Sequence, residues 1–391
     1  MIALVLLANP QNRRATLFAQ ACERAKVSAP AVVSWQEFLA DERALERALD
    51  KYATSKSTVY LRIESPGELF EVDRAMLARG AQIEEPDTRI RPGYVAARDA
   101  ARLAPDRGRI LFPRQWYRGF VDALRAIERL LAERPWVHVL ARPSSIITLF
   151  DKEATHAQLD RSEILQAELI RDVHTVEALE SALRALEWPA VFVKLRHGSS
   201  ASGVVALRWT RESIRATTSV SLFQTLDETR LYNSLRIQRY VDERDVRVIL
   251  SWILSEGAVV ERWLPKATYD GDNFDLRVVT IAGKVAHTVV RVGRSPMTNL
   301  HLGNRRGDWQ RVQTRMSEPQ QRALTDVVES VAKSFADCHM LGVDVALDPR
   351  LNAPTILEAN AFGDLLPGVL VDGRDSYESQ VIALSLLSNA L

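Results

Sequence analysis

Cysteine is nearly absent from this 391-residue chain. Two occur, Cys22 and Cys338, which excludes a disulfide framework and fits a reducing, cytoplasmic setting. A dominant charge is missing too: 51 basic residues face 50 acidic ones, so no global field draws the chain to nucleic acid or to an anionic membrane. Long apolar runs are lacking. The opening MIALVLLANP is short, has no basic flank and ends in an Asn-Pro turn. It is expected to be a first buried strand rather than a signal peptide or a membrane span. No internal repeat or low-complexity tract stands out, and no second His or Cys sits at metal-ligand spacing from His301, which argues against zinc there. At this length two or three lobes are expected.

Residues 1–144 alternate strand, turn and helix. Strands are expected over 2–7, 31–34 and 57–63, with helices over 11–26 and 35–53, which argues for a parallel sheet. Such sheets place their sites at the carboxyl ends of strands. Arg62, Glu64 and Ser65 stand at such an end and are candidates for substrate contact, with an ordinary solvated loop as the alternative. Aromatic-rich helices over 105–140 (Trp116, Tyr117, Phe120, Trp136) are expected to be core.

Beyond 145 a helix from about 147 contains Lys152, and a second helix over 176–186 has Thr175 as its cap. Then AVFVKLRHGSSASGVVALRW has the form of a hairpin, with strands over 190–195 and 204–209. Lys194 in its first strand and the Gly/Ser loop 197–203 suit a phosphate: the lysine supplies charge and the loop supplies backbone N–H donors. No GK[ST] follows, so this is not a Walker A loop, and an edge-strand lysine laid along apolar surface remains an equal alternative. Residues 242–254 form an amphipathic helix with Asp242 as its candidate cap, which puts Asp245 and Arg247 on the surface, and 258–264 is a strand. A hairpin about Gly283 places Asp275 and Arg277 on one face; the face of Arg291 depends on an unknown loop length. SPMTNLHLGNRRGD gathers Asn299, His301, Asn304, Arg305 and Arg306 in a polar loop of the kind that carries function. Last, 341–368 holds two strands. A five-residue loop over 349–353 sets Asp344 across from Glu358, with Asn360 on the same face. Two carboxylates and an amide oxygen suit Mg2+, unless they merely face solvent on an edge.

In this order (Asp-Lys in a helix, Phe-Val-Lys before a Gly/Ser loop, Asp-Leu-Arg, Thr-Asn-Leu-His-Leu-Gly, then Asp344 with Glu358-Ala-Asn360) the motifs resemble the ATP-grasp superfamily. The likeness is to its ribosomal-protein glutamate ligase and glutathione synthetase-like branch, and within it to a bacterial group carrying NFDLRVV and TNLHLGN. The resemblance covers about residues 145–370. It implies an α/β (α+β) ATP-grasp fold: a Rossmann-like pre-ATP-grasp lobe over 1–144, a small lid subdomain over 145–264 and a C-terminal metal and catalytic subdomain over 265–391. It further implies that Lys152 and Lys194 contact nucleotide phosphates, and that Ser199 and Ser200 belong to the loop that folds over them. Glu261, Trp263 and Leu264 would hold adenine, although Arg262 stands where the family carries a carboxylate, and Asp275 would meet the ribose. Arg277, Arg291, Asn299 and His301 would steady the transferred phosphate. Asp344, Glu358 and Asn360 would bind metal, and Phe362 and Asp364 the acceptor. The implied activity is an ATP- and Mg2+-dependent carboxylate–amine ligase working through an acyl phosphate, with two metal ions and Mn2+ able to substitute. Its substrates would be small-molecule or peptide acids and amines, and the chain a monomer or homodimer. An ATP-grasp phosphotransferase and a non-catalytic ATP-binding regulator stay open.

Overall fold

The computed structural model describes residues 2–199, 201–225, 228–363 and 366–390. Ile2–Ala8 (β1), Ala31–Ser34 (β2), Thr58–Ile63 (β3) and Val137–Val139 (β4) pair in parallel in the order β2-β1-β3-β4. β1 is buried without interruption from Ala3 to Ala8, the pattern of a strand covered on both faces. The stretch 35–53, expected as one helix, is two: Trp35–Ala40 and Arg43–Asp50. The break falls at Asp41, which turns extended (φ −150°, ψ 101°) and accepts the Arg43 N–H at 3.1 Å. An aspartate bonding a nearby amide competes with the helix. The aromatic stretch is a single long helix, Pro113–Ala132. Its Phe120 is fully buried against Trp35, Trp116 and Phe150, with ring centroids 6.0, 5.3 and 5.1 Å away, so these aromatics are core.

Leu169–Ile170 (β5), Ala190–Leu195 (β6), Val204–Trp209 (β7), Ile214–Gln224 (β8), Thr229–Tyr240 (β9) and Ala258–Arg262 (β10) make an antiparallel sheet ordered β5-β10-β6-β7-β8-β9. The helices Val176–Ala185 and Glu243–Ser255 cover it. Both start where caps were expected: Thr175 accepts the Ala178 N–H at 3.1 Å and Asp242 the Arg244 N–H at 2.8 Å. This lobe has an apolar core of its own, separate from the core that the other two sheets share.

Residues 82–112 form an unforeseen strap from the first lobe along the second. The Ile110 N–H donates to the Leu231 carbonyl at 2.8 Å and the Asn233 N–H to the Gly108 carbonyl at 2.6 Å, continuing the sheet past β9, and the Ile110 side chain enters the second core. Nearby, Glu256 accepts the Gly93 N–H at 2.6 Å and the Arg114 N–H at 3.4 Å. Burial pushes the Glu256 carboxyl up to about 7 against the pull of those N–H groups and of Arg114. The folded chain therefore keeps this proton through a range where the unfolded chain, titrating at 4.5, has lost it. Stability from this group falls as pH rises between those two values. Glu256→Gln is expected to flatten that decline and to raise the melting temperature at about pH 8, an effect of up to about 3 kcal/mol. A difference from wild type that stays constant between about pH 5 and pH 8 would contradict it.

The third sheet contains Thr268–Tyr269 (β11), Asp272–Ile281 (β12), Lys284–Gly293 (β13), Arg305–Gly307 (β14), Met340–Ala346 (β15) and Thr355–Asn360 (β16). Its order is β14-β13-β12-β15-β16, with β11 on β12. Ala282 (φ 50°) and Gly283 (φ 78°) form the tight turn between β12 and β13, as two-residue hairpins require. A register shift at Val279/Thr280 then sets Arg291 directly across from Asp275, which decides the face left open. Asp344 does pair with Glu358, by an unexpected route. The ladder begins at Ala346 and Thr355, and an irregularity next to Asp344 takes up Leu357 and restores the register. Among the described residues no helix is long and apolar enough to cross a membrane.

Candidate active site

A cleft opens between the second and third sheets, lined by Lys152, Lys194, Glu261, Asp275, Asp344 and Glu358. Lys152 enters it from a helix start. The expected helix from 147 is broken into Pro143–Phe150 and Lys152–Asp160, because Asp151 is extended and its Oδ1 accepts the N–H groups of Glu153 and Ala154 at 3.0 and 3.1 Å. Lys152 Nζ donates to the Gly198 carbonyl at 2.5 Å and lies 3.0 Å from Glu358 Oε1. Lys194 points into the cleft from β6, with its Nζ 2.5 Å from Glu261 Oε2. Burial opposes its charge, but Glu261 and Glu358 outweigh burial and raise its pKa above the ordinary value. Burial likewise disfavours the Glu358 carboxylate, and Lys152 and Lys194 outweigh it, holding the group below the usual range.

Deeper in the cleft, Asp275 is 2% exposed. Its Oδ1 takes Arg291 Nε at 2.8 Å, and its Oδ2 takes Lys266 Nζ at 2.8 Å and the Thr298 hydroxyl. Burial would raise its pKa; Arg291 and Lys266 more than reverse that and keep it ionised. Arg291 extends a second nitrogen to Asp344 Oδ2 at 3.1 Å, and Arg277 grips both Asp344 oxygens from the neighbouring strand. Five cations (Lys152, Lys194, Lys266, Arg277, Arg291) thus meet four carboxylates (Glu261, Asp275, Asp344, Glu358). Such near-neutral pairing is what lets charged groups stay buried.

Of the residues singled out from sequence, Lys152, Lys194, Ser199, Glu261, Leu264, Asp275, Arg291, Asn299, Asp344 and Glu358 line this one cleft. Arg277 stands beside it through Asp344. Trp263 is engaged elsewhere: its N–H donates to the Ala190 carbonyl at 3.3 Å, and its ring packs on Phe192 and Arg208. The unusual Arg262 pairs with Glu168 at 2.5 Å. Asn360 follows Glu358 on β16, with its amide nitrogen 3.4 Å from the Gly342 carbonyl. His301 is exposed on the short turn Leu300–Leu302. Phe362 lies against Phe150 at 6.5 Å, and its carbonyl accepts Arg14 at 2.8 Å. Ser200 and Asp364 lie outside the described residues.

For the proposed substrate trio the structure gives a correction. Arg62 and Glu64 are 4% and 1% exposed and bond each other at 2.7 and 3.2 Å. Arg62 also bonds Gln380 and lies over the Phe18 and Tyr377 rings. The carboxyl end of β3 is closed by the helix Ser376–Ala390, so these groups hold lobes together, and Ser65 follows as a turn residue whose hydroxyl accepts the Gly67 N–H at 3.3 Å. Sequence reading missed Lys266, Thr298 and Asp151, and read His197 only as the start of the phosphate loop 197–203, whereas it does not line the cleft. Asp151 did carry a signal, as an N-cap residue type directly before Lys152; Lys266 sits in an irregular segment with no pattern.

Among the described residues no three His, Cys, Asp or Glu side chains gather to cage a metal by themselves. Asp344 and Glu358, adjacent across β15 and β16, nevertheless fit Mg2+, which takes one or two carboxylates and completes its shell with waters and substrate phosphates.

Two sheets closing on a cleft of lysines and paired carboxylates define an ATP-grasp protein. Residues 147–363, more than half of the chain, match the model of the YheC/D-like ATP-grasp family, and the chain belongs to that family. Its fold is similar to D-cycloserine synthetase DcsG (TM-score 0.55, 13% identity, covering 99% of this chain and 100% of that one). It is also similar to N5-carboxyaminoimidazole ribonucleotide synthetase in its ADP complex (0.53, 12%, 97% and 75%). A third match is D-alanine–D-alanine ligase from Bacillus anthracis complexed with ATP (0.52, 9%, 100% and 97%). A search of curated protein sequences returned no match.

Proposed function

We propose that this chain is an ATP- and Mg2+-dependent ligase that joins a carboxylate to an amine and releases ADP and phosphate. The observation that carries the reading is the convergence of Lys152, Lys194 and the loop residues Gly198 and Ser199 with Asp344 and Glu358 on one cleft. A carboxylate is a poor electrophile; phosphorylation by ATP converts it to an acyl phosphate, which an amine attacks to form the amide. Lys152 and Lys194 bind the phosphates as point charges. Arg291, set by Asp275, and Arg277 steady negative charge on the group in transfer. Mg2+, held by Asp344, Glu358 and Asn360, would neutralise charge on the β- and γ-phosphates. The lobe built on β5 to β10 and the helices Val176–Ala185 and Glu243–Ser255, which has its own core, would close over the cleft and keep water from the intermediate.

ADP release screened over amino acids, short peptides and other carboxylates, each with candidate amines, tests this. The product mass discriminates: two substrates joined with loss of water are expected, whereas addition of phosphate to one of them would mean a phosphotransferase. Nucleotide binding without acceptor-dependent ADP release over the whole panel would favour a regulatory protein.

A further inference from the structure

Asp151 sits where the two lysine-bearing segments meet the first lobe. Its carboxylate takes Arg196 Nε at 2.8 Å and Nη2 at 2.7 Å, and its Oδ2 lies 3.4 Å from His197 Nε2. The same group caps the helix that begins at Lys152. Arg196 and His197 directly follow β6, which carries Lys194. The backbone closes the same junction: the Lys152 N–H donates to the Arg196 carbonyl at 3.2 Å, and the Arg196 N–H to the Gly257 carbonyl at 3.0 Å. Asp151 and His197 are 6% and 5% exposed, and neither lines the cleft. His197 in turn stacks on Tyr117, with ring centroids 3.8 Å apart and planes 15° from parallel. Its Nε2 is also 3.4 Å from Arg114 Nη1, and Glu85 of the strap holds Arg114 at 2.7 and 2.9 Å.

We propose that Asp151 is a positioning residue: it fixes the spacing of Lys152 and Lys194 for a polyphosphate, and the His197–Tyr117 stack refers that spacing to the first lobe. The assignment rests on the nucleotide reading of the cleft. Lysine is a point charge on a flexible four-carbon stem, so two lysines grip one ligand well only when their backbones are held at a set distance. A two-bond Arg–carboxylate pair is a rigid connector of the kind needed. Ordering the stems before the ligand arrives lowers the entropy cost of binding. A helix cap alone would stabilise the fold without favouring phosphate over base.

The test uses the full chain and two probes, MgADP and adenosine, titrated by calorimetry against Asp151→Ala and Asp151→Asn, with Lys152→Met as the direct-contact comparison. In Asp151→Ala, MgADP affinity is expected to fall at least about tenfold, by analogy with the loss of groups that orient a ligand's direct contacts, while adenosine affinity stays at the wild-type value. Asp151→Asn keeps an acceptor for the cap and for one Arg196 nitrogen, and is expected to recover part of the loss. Unchanged MgADP affinity in Asp151→Ala overturns the assignment. So does a parallel weakening of MgADP and adenosine, the mark of a merely structural role. A wild-type chain that binds neither probe overturns the nucleotide reading itself, and the assignment with it.

Discussion

Glu358→Gln is expected to lower acceptor-dependent ADP release by about a hundredfold to a thousandfold, the scale of losing electrostatic stabilisation in a transfer step, while metal-free nucleotide binding survives. Both halves follow from the geometry. Glu358 stands 3.0 Å from Lys152 and across the ladder from Asp344, so its oxygens are at once counter-ion to the lysines proposed to bind phosphate and half of the carboxylate pair. On the proposed assignment, removing its charge takes away a metal ligand and frees Lys152 for the nucleotide. Asp344→Asn removes the other half, but it also leaves Arg277 and Arg291 short of a counter-ion. Stripping one partner from a buried ion pair costs about 3–5 kcal/mol, so this variant is expected to lose turnover and to melt lower as well. Glu358→Gln is therefore the cleaner probe. ADP release and calorimetric binding of ADP without Mg2+ read the two halves separately; wild-type turnover in both variants would remove the metal assignment.

Gly119→Ala is expected to destabilise the fold by about 3 kcal/mol or more, although alanine is the better helix former by about 1 kcal/mol. Gly119 lies inside the helix Pro113–Ala132, which crosses Phe70–Gly80 with backbone against backbone. A Cβ at Gly119 would stand 2.0 Å from the Met76 carbonyl oxygen, and one at Gly80 2.0 Å from that of Gln115. Neither neighbour is a side chain that can swing away, so the two helices must separate. The same helix presents Tyr117 to His197, and a shifted crossing would also disturb the support beneath the lysine loop. Thermal melts of Gly119→Ala and Gly80→Ala decide the matter: a melting temperature at or above wild type in either would mean that the helices do not touch there.

Much of the local structure was legible in the chain because it depends on near neighbours. The strands over 190–195 and 204–209 and the caps Thr175 and Asp242 rest on side-chain alternation, turn residues and capping chemistry, whereas Asp344 meets Glu358 only because an irregularity at Leu357 restores the register. The ATP-grasp assignment rested on the order of short motifs, which survives any uncertainty about how the lobes pack. Arg291 was different: its partner Asp275 follows from a register shift between β12 and β13 that no residue pattern announces. Lys266 and Thr298 joined the site only because the chain folds back on Asp275 from both sides.

By itself, then, the sequence determined many of the local elements, the order of the motifs and the chemical types that a phosphate and a hard cation require. Only the tertiary structure decided which of those groups face the cleft. Arg62 and Glu64 stand at the carboxyl end of a parallel strand, where substrate contacts are expected, yet the helix Ser376–Ala390 covers that end and turns them into a buried pair. Asp151, read only as the residue before a lysine, became the junction of two lysine segments because Arg196 and His197 return to it from 45 and 46 residues away. Contacts across such separations depend on how whole lobes dock, and local periodicity carries no record of that docking.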